Sequence, residues 1–82
     1  MVADCNSRYN WIFSGNGAVL PNAIPGGISS SGEVLYIGRV FHEGKLICGK
    51  IHPSYQCLFV PDGGKEHCYQ YGYEILVNEI YA

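Results

Sequence analysis

The chain predicts a small all-β domain built on an antiparallel sheet. Three observations carry that expectation. Short runs rich in Tyr, Ile, Val and Phe recur every eight to twelve residues. Gly- and Pro-containing segments punctuate them, and no stretch shows the apolar spacing of a helix. Of the 82 residues, 11 are glycine and seven tyrosine, while only 15% are charged, a composition that favours loop-rich sheet over helix.

The elements follow in order. Asn10 to Ser14 (NWIFS) is an aromatic strand closed by the turn signal Gly15-Asn16-Gly17. Ala18 to Ile24 is interrupted by Pro21, which confines it to an edge strand or an extended loop. Pro25 to Gly32 (PGGISSSG) reads as a flexible loop. Glu33 to Lys50 is a hairpin, and His52-Pro53-Ser54-Tyr55 connects it to the strand Gln56 to Pro61. After Pro61-Asp62-Gly63-Gly64, the segments Glu66–Tyr69 and Tyr71–Ile80 supply one or two further strands.

The hairpin can be read residue by residue. With Glu43-Gly44 as a two-residue turn, His42 faces Lys45, Phe41 faces Leu46, Arg39 faces Cys48, Gly38 faces Gly49 and Ile37 faces Lys50. Strand alternation then puts the two glycines on one face, framed by Tyr36, Val40, Ile47 and Ile51, where a ring or another backbone can approach. Arg39, Lys50 and His52 gather on the other face. Like charges on neighbouring diagonals call for a carboxylate or a polar ligand between them. Internal ion pairs, to Glu33 or Glu66 for instance, and a ligand role stand side by side at this point.

Size and charge bound the function. A single 82-residue domain buries roughly 60% of its unfolded surface, so a disulfide, a metal or a partner subunit is expected to help. A net charge of −2 gives no basic footprint and argues against nucleic acid as ligand. No apolar run is long enough to span a membrane. Met1 to Cys5 lacks the features of a signal peptide, so the expected location is cytoplasmic, with non-classical release as a further route. On that footing Cys5, Cys48, Cys57 and Cys68 are expected to be thiols, and a bridge such as Cys48–Cys57 belongs to a secreted form.

Other motifs carry less. Gly15-Asn16-Gly17 and Gly26-Gly27 lack a following Gly-Lys-Ser/Thr and read as turns, not phosphate cradles. His42, His52 and His67 lack ligand spacing, so no metal site and no cofactor is expected. A nucleophile pair of Cys68 with His67 is disfavoured because neighbours on a strand point to opposite faces. Cys48 with His52 lacks an evident oxyanion hole, and the chain is expected to be no enzyme. The aromatics Trp11, Tyr36, Tyr55, Tyr69, Tyr71 and Tyr73 serve a core or, beside Lys, Ser and Glu, a sugar site.

Taken together, these residues resemble a known module. Trp11, Gly15 to Gly17, Pro21-Asn22-Ala23, Gly26-Gly27, Gly32-Glu33, Leu35-Tyr36-Ile37-Gly38-Arg39, His42-Glu43-Gly44, Gly49-Lys50-Ile51, Gly63-Gly64-Lys65-Glu66 and Tyr73-Glu74-Ile75-Leu76 are similar to the DM-nine repeat. That repeat occurs in insect, flatworm and mollusc proteins and in natterin-like proteins. The likeness covers about residues 11 to 77 of a single domain spanning 1–82. It implies an all-β fold and, from some mollusc members, mannose-specific lectin activity in innate recognition of microbes.

In those members a lysine of the Gly-Lys turn and an acidic residue in the loop after the glycine pair hold the sugar. The resemblance maps the lysine onto Lys50. The loop here is Ile28-Ser29-Ser30-Ser31, so Ser29 and Ser31 stand where the acid would be, with Glu33, Glu43 or Glu66 as substitutes and Arg39 as a neighbour. Cys48 replaces the family's usual proline before Gly-Lys. Family lectins commonly carry two tandem repeats, whereas this chain holds one. A symmetric homodimer, with intertwined or exchanged strands, is therefore expected to replace the missing repeat. The expected ligands are mannose or mannose-containing glycans. The alternative is an intracellular protein-interaction or stress-response module without a sugar site.

Overall fold

A computed structural model describes residues 7–80, so Cys5 lies outside the described residues. Its strands are β1 (Ser7–Ser14), β2 (Pro25–Ile28), β3 (Val34–His42), β4 (Lys45–His52), β5 (Cys57–Asp62), β6 (Lys65–Tyr69) and β7 (Tyr73–Ile80). They form one antiparallel sheet in the order β1-β7-β3-β4-β5-β6, with β2 added beside β3. The all-β expectation is met. No helix among the described residues is long and apolar enough to cross a membrane.

The hairpin registers as its sequence demands. Glu43 and Gly44 both take positive φ, 50° and 79°, the geometry of a two-residue turn whose twist matches its strands. His42 then pairs Lys45, Gly38 pairs Gly49 and Ile37 pairs Lys50. Gly63 and Gly64, at φ 62° and 74°, repeat the device between β5 and β6 and set Asp62 against Lys65. Between β4 and β5 a single 3₁₀ turn, Pro53–Tyr55, reverses the chain.

One expectation is corrected. Pro25 to Ile28 is not loop but strand, pairing Pro25 with Tyr36 and Ile28 with Val34 across a bulge. Proline is tolerated there because β2 is short and lies at an edge of the pairing. Ala18 to Ile24, expected as an edge strand or extended loop, is a loop that turns at Pro21-Asn22, where Asn22 takes φ 63° and the Ala23 amide donates to the Leu20 carbonyl at 3.2 Å; one isolated bridge joins Ala23 to Val77.

Alternation divides the sheet into two faces. Val40, Ile51, Leu58, Val60, Tyr73, Ile75 and Val77 form one buried cluster on the inner face. β7 and β5 are separated by two strands in the sheet order, so their contact requires the sheet to curl over this face. Each fully buried aliphatic side chain contributes about 1.5–3 kcal/mol. The glycine window faces the same way and is filled from within. A Cβ on Gly38 would stand 2.8 Å from Leu58, and one on Gly49 would run into the Phe59 carbonyl oxygen. What approaches the bare backbone is β5 itself.

Tyr73 anchors the N-terminal turn to this core. It is fully buried, and its hydroxyl accepts a 3.0 Å hydrogen bond from the Gly17 amide. Burial pushes its hydroxyl pKa up. Gly17 sits at φ 72° with Gln56 Cα and Pro53 O each 2.8 Å from where a Cβ would stand, so only glycine fits.

Candidate functional site

The outer face carries an open hollow of about 580 Å³ lined by Leu35, Lys50, His52, Tyr55, Phe59 and Glu66 among others. Register explains why these residues meet. Lys50 on β4 pairs with Phe59 on β5, Phe59 pairs with Cys68 on β6, and Glu66 sits two residues before Cys68. Lys50, Phe59 and Glu66 therefore share one face across three adjacent strands.

An aromatic wall closes one side. His52 and Tyr55 stack with centroids 4.3 Å apart and planes at 9°. Phe59 meets both edge-on, at 6.1 and 6.0 Å. Glu33 fixes the wall from behind. Its carboxylate lies 2.9 Å from His52 Nδ1 and accepts hydrogen bonds from the Ser54 amide at 2.8 Å and hydroxyl at 2.7 Å. The Ser54 hydroxyl, then its amide and His52, hold the Glu33 carboxyl below its ordinary pKa.

Lys50 is exposed, and among the described residues it has neither an ion pair nor a hydrogen bond. Its ammonium runs beside the bare backbone of β2, where a Cβ on Gly27 would come 3.1 Å from Nζ. Gly27 thus clears room for the lysine, whereas a Cβ on Gly26 would meet Ile37. Glu66 is likewise exposed and without an ion partner among the described residues. The hollow so combines a donor-only cation, an acceptor-only anion and aromatic ring faces.

The remaining sequence candidates lie elsewhere. Arg39 is an internal ion pair, its partner being Glu74 at 2.7 Å rather than Glu33 or Glu66, and its guanidinium lies 4.3 Å over Trp11. Ser29 and Ser31 bond each other at 2.9 Å, and the Glu33 amide donates to Ser29 Oγ. They shape the turn before β3 and do not line the hollow. Glu43 belongs to the β3–β4 turn, on the side of His42. Strand alternation already puts Leu35 on the face of Lys50; sequence reasoning missed Phe59, which extending strand pairing from Lys50 onto β5 would have found.

Two further corrections concern cysteine and histidine. Cys57 and Cys68 are joined as a disulfide, diagonal neighbours on the β5–β6 hairpin with Cα atoms 5.8 Å apart, while Cys48 is free and exposed. His52 stands alone in the outer hollow, but His42 and His67 converge with Asp62 at one end of the inner face. Strand curl brings together what linear spacing keeps apart.

A search of curated proteins finds no match to the chain. The family model described as the DM9 repeat, in contrast, matches residues 1–69, a span that includes every residue named in the hollow. On that match, and on an all-β sheet whose hairpin turns carry the His-Glu-Gly and Gly-Gly signals of the repeat, the chain belongs to the DM9 repeat family.

Proposed function

We propose that the protein is a non-enzymatic lectin whose outer hollow takes mannose-type glycans in innate recognition. The observation that carries the reading is the unpaired Lys50 and Glu66 in one aromatic-walled hollow. A pyranose offers an apolar C–H face for Tyr55 and Phe59 and vicinal hydroxyls that a lysine donates to and a carboxylate accepts from. DM9 repeats are known in lectin-like, carbohydrate-binding proteins. Glu66 takes the acidic role that the serine loop leaves open.

One site of this kind binds weakly, at roughly −4 kcal/mol, or a millimolar Kd. A homodimer carries two such sites and raises avidity on a branched glycan by roughly 10²–10⁴. The Cys57–Cys68 bridge persists in oxidising surroundings, which favours release from the cell over a purely cytoplasmic role. A glycan array read with the parent chain and with Lys50→Ala tests the proposal. Mannan binding that disappears in a folded Lys50→Ala chain supports it; absence of binding to any glycan favours the protein-interaction alternative.

A further inference from the structure

We infer that the closed end of the inner face is a binding site for a divalent transition metal ion of the zinc class, held by His42, Asp62 and His67 with Glu43 completing the set. The inference is independent of the sugar hollow, which lies on the opposite face.

The first observation is convergence. One ligand atom from each of His42, Asp62 and His67 falls within 4.8 Å of the others. The residues come from the end of β3, the end of β5 and the middle of β6, three strands that the curled sheet brings together. The second observation is an orphan. His42 Nε2 is buried without a hydrogen-bond partner, and the side chain is only 8% exposed. Buried polar atoms without partners are uncommon and call for an explanation.

The geometry around that nitrogen is that of a ligand set. Asp62 Oδ2 lies 3.4 Å away and Glu43 Oε2 3.5 Å away. Those separations are long for hydrogen bonds. They match the ligand-to-ligand edge of a tetrahedral site, about 3.3 Å for bonds of about 2.0–2.1 Å. The ring of His67 lies 4.3 Å from that of His42, tilted at 38°.

Neighbouring groups orient the ligands as outer partners of a metal centre do. His42 Nδ1 contacts the Tyr69 hydroxyl in a short hydrogen bond, so a proton held on Nδ1 leaves the Nε2 lone pair for the ion. Lys45 Nζ holds Asp62 Oδ1 at 2.7 Å and leaves Oδ2 facing the cluster. His67 Nε2 donates to the Asp62 carbonyl oxygen at 3.1 Å, which fixes its ring against β5. Two imidazoles with carboxylates suit zinc, copper or nickel, whereas calcium and magnesium prefer oxygen alone.

The test is calorimetric titration of Zn²⁺ into the intact chain at neutral pH, with Co²⁺ as a spectroscopic probe. One ion per chain at micromolar Kd or tighter is expected. Zinc at about 100 times Kd should raise Tm by roughly 15 °C. Tyr69→Phe should weaken binding roughly 10–100-fold, and His67→Ala, which removes a ligand, by more. The Co²⁺ spectrum should show tetrahedral nitrogen and oxygen ligation. Affinity no better than millimolar, undiminished binding in folded His67→Ala, or a thiolate charge-transfer band pointing to Cys48 each overturns the inference.

Discussion

Lys50 and Glu66 face one hollow from β4 and β6, two strands apart, and neither has a charge partner among the described residues. Arg39, one diagonal away from Lys50 on the same face, does have one. The two cations on this face of the hairpin thus divide into a structural residue and an available one, and the division is testable from both sides.

Arg39→Ala should cost stability and leave glycan binding intact. Its partly exposed ion pair with Glu74 and its contact with Trp11 together contribute about 1–2 kcal/mol. Thermal unfolding should fall by roughly 5–10 °C. Unchanged stability with lost binding would move Arg39 into the site.

Acid stability should depend on two carboxylates. Hydrogen bonding from Ser54 holds Glu33, and from Lys45 holds Asp62, below their ordinary pKa values of about 4. A depressed folded-state pKa contributes stability that is present above about pH 4 and lost as pH falls through the folded value. Lys45 is raised by the same Asp62 bond, so its share is present below about pH 10 and lost above it. Tm measured from pH 2 to 7 should fall less steeply toward acid in Ser54→Ala and Lys45→Met than in the parent chain. Identical slopes would show that these bonds do not set the acid limb.

Reduction of Cys57–Cys68 should destabilise the fold without abolishing it. The bridge closes a segment with a sequence separation of 11, for which chain entropy implies about 3 kcal/mol. Denaturant midpoints with and without dithiothreitol, or in a Cys57→Ser/Cys68→Ser chain, measure it. Coincident unfolding curves would contradict the linkage.

Much of this was open to reading in the chain. Glu43-Gly44 sets the β3–β4 register because a two-residue turn leaves one pairing, and every pair expected from it is found. The same logic applied to Gly63-Gly64 puts Phe59 opposite Cys68, with Cys57 on the diagonal, a bridge legible in principle. β2 was not legible, because Pro25-Gly26-Gly27 has the composition of a turn and pairs only through a bulge. His42 and His67 were not legible either. They belong to different hairpins, and only the curl of the sheet over its core brings them within reach.

Phe41 and Leu46 stand directly opposite each other near the hairpin tip, 71% and 47% exposed. Covering them in a second copy is the proposed route to the homodimer. Light scattering at micromolar concentration should give twice the 9.0 kDa chain mass, and Phe41→Asp should return it to one chain. A single-chain mass for the unaltered protein would contradict the dimer.

The most direct measurement is calorimetric titration of a mannose-containing oligosaccharide into the parent chain, Lys50→Ala and Glu66→Gln, with Tm recorded for each. Binding by the parent chain, at least tenfold weaker in both variants at unchanged Tm, is the expected result; tenfold corresponds to about 1.4 kcal/mol. Equal affinity in all three folded chains would contradict the assignment of Lys50 and Glu66 to a sugar site.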